Sequence, residues 1–141
     1  MRVVFDTVVF VRGLINPHGR WGELLFEHAD RYVLILSPAI AEEILSVLRR
    51  PELTRKFRSL SNIGVADVLT LLAQADVVQP AETPAICRDP NDDKFLAAAV
   101  AGNADYLVSE DADLLVLGEN QGIPIVTASA FLRILQENNE R

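Results

Sequence analysis

Nitrogen and sulfur ligands are scarce in this chain. It has one cysteine, Cys87, and two histidines, His18 and His28. A lone cysteine cannot close an internal disulfide, and no Cys/His cluster has the spacing of a zinc site. Long apolar runs are also missing. Nothing approaches the ~18 residues of a membrane span, and Asp6 interrupts the apolar start, so no signal-peptide pattern is expected. Repeats, linkers and low-complexity stretches are absent. These absences leave one expectation: a single cytoplasmic domain over residues 1–141, globular because 50 % of its residues are apolar.

Positive charge is scarce too. The formal net charge is -7, which argues against a surface that tracks phosphates over its whole extent. The charge is uneven, however. Between Arg49 and Arg58 stand five basic residues (Arg49, Arg50, Arg55, Lys56, Arg58) and one acid, Glu52, a local +4 that leaves -11 for the rest. A basic patch on an acidic body suits a nucleic acid that meets a metal at the acidic part. A solvated helical face is the alternative.

What is present is an alternation of apolar runs and helical patterns. Val3-Val4-Phe5 is a short run apolar on both faces, as in a buried parallel strand, and Asp6 stands at its carboxyl end. Further strand-length runs are Tyr32 to Leu36, Val77-Val78, Tyr106 to Val108 and Ile123 to Val126. Helical patterns cover Val8 to Ile15 (or a loop), Trp21 to His28, Pro38 to Arg50, Pro51 to Phe57, Asn62 to Ala75, Asp92 to Ala101 and Ala128 to Gln136. Ser37-Pro38 is a strong helix start, and Gly102 reads as a stop. Strands alternating with helices predict an α/β fold with a parallel sheet covered on both faces.

Acids follow several of these strands, and in open α/β sheets chemistry gathers beyond the strands' carboxyl ends. Asp6 follows the first strand. The Pro38 helix carries Glu42 and Glu43, and its apolar stripe of Ile40, Ile44, Val47 and Leu48 makes Glu43 the inward one. Asp111 and Asp113 follow the strand ending at Val108. Asp92 and Asp93 open a helix, and the helical wheel does not choose between them. Either one alone reads as a cap, and Asp111 and Asp113 alone read as turn formers. If several converge, two carboxylates about 4 Å apart repel by roughly 4 kcal/mol at an effective dielectric of about 20. A divalent cation relieves that, and oxygen ligands without His or Cys select magnesium or manganese.

The ordered set resembles the PIN-domain family of metal-dependent nucleases. The segments that carry the resemblance are Val3-Val4-Phe5-Asp6-Thr7, Leu36-Ser37-Pro38 through Glu43-Ile44-Leu45, Arg49-Arg50-Pro51-Glu52-Leu53, Asp89-Pro90-Asn91-Asp92-Asp93-Lys94-Phe95-Leu96, and Ala104-Asp105-Tyr106-Leu107-Val108-Ser109-Glu110-Asp111-Ala112-Asp113-Leu114-Leu115. They look most similar to the toxin-like (VapC-like) branch of toxin–antitoxin pairs. The resemblance implies a three-layer α/β/α sandwich with a central parallel sheet of four to five strands, and hydrolysis of RNA phosphodiesters with magnesium or manganese. It assigns catalytic roles to Asp6, Glu43, Asp111 and the Asp92-Asp93 pair, with metal bound by Asp6, Asp92, Asp93 and Asp111. Thr7, Ser109 and Asp113 support them, and Arg49, Arg50, Arg55 and Lys56 would grip RNA. An antitoxin partner and a homodimer are implied as well.

One residue departs from the family. After Asp-Thr the family usually has Asn, and here Val8 stands there. A weak nuclease or a catalytically silent binding domain is the alternative that Val8 raises. A receiver-like signalling module is the other rival. It would need a second acid after the first strand and a Lys near the last one, and neither is present.

Overall fold

A computed structural model of the protein describes residues 1–16, 18–52, 55 and 70–139. The chain runs β1 (Arg2–Phe5), α1 (Thr7–Ile15), a short α2 (Arg20–Gly22) that widens into a π-type turn (Glu23–Glu27), β2 (Val33–Leu36), α3 (Pro38–Leu48), β3 (Asp76–Val77), α4 (Asp93–Ala101), β4 (Tyr106–Val108), α5 (Ala112–Leu115), β5 (Glu119–Asn120), β6 (Ile123–Val126) and α6 (Ala128–Asn139). The strands form one sheet in the order β3-β2-β1-β4-β6-β5. All pairings are parallel except β5 with β6.

The first strand is central because its sequence has no polar face to offer water. Val3, Val4 and Phe5 are all buried. Val3 pairs with Leu34 on one side and Tyr106 on the other. Paired residues share a face of the sheet, so Val3, Phe5, Tyr32, Leu34 and Tyr106 lie together. Phe131 of α6 covers them, with ring centroids 6.2 Å from Phe5, 6.0 Å from Tyr32 and 5.7 Å from Tyr106. The opposite face, carrying Val4, Ile35 and Leu107, receives α4. A Cβ added at Gly102, just past α4, would lie 2.8 Å from Ile35 Cδ1. Helices therefore flank a mostly parallel sheet, the α/β architecture expected.

Several local expectations are refined. The sheet has six strands rather than four to five, because the outermost is a two-residue antiparallel strand too short to read as a period. Gln121 and Gly122, with φ of 51° and 81°, give the two successive positive angles of a type I′ hairpin. The helix at Trp21 to His28 is not regular: the His28 N–H donates to Glu23 O at 3.2 Å, five residues back. Gly102 ends α4 with an ordinary φ of -92°, and Asn103 takes the left-handed angle of 52°. Gly102 is needed for its closeness to Ile35. Most of the two helices expected over Pro51 to Phe57 and Asn62 to Ala75 lies outside the described residues, as do Lys56 and Arg58. No helix among the described residues is long and apolar enough to cross a membrane.

Candidate active site

From β1 the chain moves outward through β2 and β3, then returns to β4 and moves outward the other way. At such a reversal the connections leave towards opposite sides and open a crevice at the carboxyl ends of the two central strands. Asp6 ends β1, and Ser109, Glu110 and Asp111 follow β4. The Asp6 N–H donates to Val108 O at 3.0 Å, which ties the two strand ends together.

Asp6 is 3 % exposed. It caps α1, its Oδ1 accepting the Val9 N–H at 2.8 Å. Its Oδ2 accepts the Ser109 hydroxyl and the Glu110 N–H, the latter at 3.2 Å. Burial raises the carboxyl pKa and outweighs these three donors, and the charge of Asp111 adds to the rise. One oxygen of Asp6 therefore serves the helix and the other faces the segment after β4.

Ser109 continues the chain of contacts, accepting the Asp111 N–H at 2.9 Å. Asp111 caps α5 by accepting the Asp113 N–H at 2.9 Å. Asp92 closes a 3-10 turn over Pro90–Asp92, immediately before α4. Carboxylate oxygens of Asp92, Asp111 and Asp113 lie within 4.8 Å of one another. Burial first, and then the neighbouring Asp111 charge, push the Asp92 carboxyl up to about 7.

Glu43 projects from α3, half-buried, while Glu42 is exposed. The Thr7 hydroxyl donates to Glu43 Oε2, and Lys94 Nζ stands 3.1 Å from Oε1. Thr7 directly follows Asp6, so these contacts bring Glu43 to the same end of the sheet. Asp93 is engaged elsewhere. Its Oδ1 accepts the N–H groups of Cys87 at 2.7 Å and Ile86 at 3.1 Å. Burial raises its pKa, but those donors win and hold it below the usual carboxylate range. Burial and the Asp93 charge push the adjoining Cys87 thiol up to about 12.

Arg49, Arg50 and Arg55 lie beyond the last turn of α3. Arg49 and Arg50 stand roughly 10 Å from Glu43 along the helix axis. The sequence does not single out Lys94. It reaches across to another helix, so no spacing rule finds it. The one hint was a cation in the first turn of a helix, where the macrodipole disfavours positive charge.

A cation fits this donor set. Asp92 Oδ2 is buried with no hydrogen-bond partner among the described residues, and buried polar atoms are rarely left so. The ligand atoms gathered with Asp92, from Asp111 and Asp113, are carboxylate oxygens, which hard divalent ions prefer.

A family described as PIN domain matches residues 2–113. An uncharacterised protein of Methanocaldococcus jannaschii is 35 % identical over 130 residues, covering 89 % of this chain and 81 % of its own. A chain of VapBC2 from Rickettsia felis, whose crystal structure contains a DNA fragment from its promoter, superposes with a TM-score of 0.57 at 14 % identity, covering 90 % of this chain and 98 % of that one. PAE2754 from Pyrobaculum aerophilum superposes with a TM-score of 0.56, also at 14 % identity, covering 97 % and 90 %. The two solved structures share the fold.

Proposed function

The chain belongs to the PIN-domain family, and on that premise we propose that it is a metal-dependent endoribonuclease, the toxin of a toxin–antitoxin pair. The observation that carries this reading is the gathering of the Asp92, Asp111 and Asp113 carboxylates, with Asp92 Oδ2 buried and unpartnered among the described residues and Asp111 linked to Asp6 through Ser109.

In this reading Asp6, Asp92 and Asp111 hold one or two magnesium or manganese ions, and Asp113 assists. Such an ion supplies a more acidic water and stabilises charge developing on a phosphate. The remaining roles belong to the chain itself. Ser109 orients Asp6 and Asp111 through its single hydroxyl. Thr7 fixes Glu43, whose carboxylate accepts a proton at Oε1 or Oε2 as the nucleophile forms. Asp93 carries no ligand role here, since its carboxylate pins the Ile86–Cys87 backbone. Arg49, Arg50, Arg55 and Lys56 attract the RNA backbone. The protein works in the cytoplasm as a homodimer, and its antitoxin covers the acidic crevice.

Family membership leaves the receiver-like alternative without support. The silent-domain alternative keeps one observation in its favour: Val8 presents a 43 % exposed apolar side chain where the family usually has an amide. Cleavage of a panel of structured and single-stranded RNAs, with magnesium, with manganese and with chelator, tests the proposal against Asp6→Asn and Asp92→Asn. The expected result is metal-dependent cleavage absent from both variants. Cleavage that persists in chelator, or in both variants, overturns it. So does an absence of both cleavage and calorimetric metal binding.

A further inference from the structure

Nucleic acid approaching this crevice faces a group of acids, of which Glu43, Asp111 and Asp113 are partly exposed. A phosphate about 5 Å from one unneutralised carboxylate is repelled by roughly 3 kcal/mol at an effective dielectric of 20. A fixed cation at the mouth of the crevice offsets that repulsion for a phosphate beyond the reach of any bound ion, and Arg49 and Arg50 stand roughly 10 Å away along the axis of α3. Lys94 is placed for this. Its side chain is 19 % exposed, with Nζ 3.1 Å from Glu43 Oε1 and 5.7 Å from the Phe95 ring centroid. It lies in the first turn of α4, where the helix dipole costs a cation about 0.3–1 kcal/mol.

The surroundings of Lys94 give it a second direction besides Glu43. A cavity of ≈ 210 Å³ opens against it, lined by Ser37, Pro38, Gln79, Pro80 and Thr83. Its polar groups are hydroxyls and an amide, and its apolar lining is Pro38, Ala39, Pro80 and Ala97. An ammonium on the wall of a mixed polar and apolar pocket suits a nucleotide, with phosphate at the ammonium and the rest against the apolar lining.

Resting on the nuclease reading above, we propose that Lys94 is the phosphate ligand of the site. Glu43 holds its ammonium in the free protein. On binding, it transfers to a non-bridging oxygen of a single-stranded phosphodiester, whose flanking nucleotide enters the Ser37–Thr83 cavity. Only ionic contacts exchange, and no covalent bond changes.

The test is the salt dependence of binding for a short fluorescent single-stranded RNA, followed by anisotropy in chelator so that cleavage does not intervene. Each phosphate contact on a single strand contributes about 0.7 to the slope of log K against log salt. Lys94→Met is expected to reduce that slope by ~0.7 and Lys94→Arg to restore it. A purely structural lysine would alter melting and leave the slope alone. Lys94→Gln replaces the Met variant should that one fail to fold. An unchanged slope in a folded neutral variant overturns the proposal, as does a wild-type protein that does not bind the RNA. Metal-dependent cleavage with an unchanged slope keeps the nuclease and removes this ligand. A Lys94-dependent slope without cleavage keeps the ligand and removes the nuclease.

Discussion

Ser109 donates its hydroxyl to Asp6 across a sequence separation of 103 residues, and the same oxygen accepts the Asp111 N–H at 2.9 Å. One side chain thus fixes acids from two strands. Ser109→Ala leaves Asp6 Oδ2 with the Glu110 N–H alone, and the expected cost is about 1–3 kcal/mol, read by urea unfolding. A donor that lowers the Asp6 pKa is lost, so its carboxyl rises further. Manganese titration by calorimetry should then show weaker binding, with the deficit larger at about pH 6 than at about pH 8. Equal deficits at both would separate Ser109 from the charge state of Asp6.

Asp92 and Asp93 are adjacent and should fail in opposite ways. Asp92→Asn is expected to abolish metal binding while the fold survives. Asp93→Ala removes the acceptor for Ile86 and Cys87, at about 1.5–3 kcal/mol for bonds to a charged group, while metal affinity stays near wild type. The Asp93 carboxyl sits low in the folded state. Its stabilising contribution is therefore present above the ordinary carboxylate range and fades as pH falls through the folded pKa. Chemical denaturation and metal titration on both variants decide the matter.

The pH dependence of the metal-free protein carries the opposite sign at Asp92. Its folded carboxyl titrates at about 7, against roughly 3.9 in an unfolded chain. The folded state holds that proton more tightly. Asp92's contribution is complete below about pH 4 and is lost as pH rises to about 7. Asp92→Asn should therefore be more stable than wild type at about pH 8 in chelator, by about 1–3 kcal/mol. The gap should close as pH falls. Saturating manganese should raise the melting temperature of wild type only. Parallel pH profiles for the two proteins would contradict this account.

Val8 is the residue to restore. At 43 % exposure its replacement costs little, within about 0.5 kcal/mol. Val8→Asn is expected to tighten metal binding up to about tenfold, the lower end for groups that support ligands from outside. Cleavage should rise in step. Tighter binding with no gain in cleavage would favour the silent-domain reading.

The sequence shows the frame of the site better than its details. Val3-Val4-Phe5 followed by Asp6 marks a central strand and its carboxyl end, because an apolar run can be buried on both faces only inside a sheet. Glu43 was separable from Glu42 by the helical wheel, and the structure has it half-buried against Thr7 and Lys94. The wheel could not separate Asp92 from Asp93. Their difference comes from the Ile86–Cys87 backbone returning to Asp93, a tertiary contact that leaves no period. Lys94 escaped for the same reason, its partner being on another helix. The β5–β6 hairpin escaped because Gln121-Gly122 is not one of the common turn pairs, although both residues take positive φ.

The position of β1 has a consequence for how the protein is made. Its neighbour β4 and the acids that follow lie about a hundred residues later in the chain, and Asp6 meets Ser109 only when both strands are in register. A nascent chain still short of Asp111 carries Asp6 and Glu43 but no crevice, because contacts of long sequence separation close late. On the ribosome, then, an unfinished chain lacks the acidic crevice, and under the proposed function an inhibitor made alongside it would have most of a round of translation in which to arrive first.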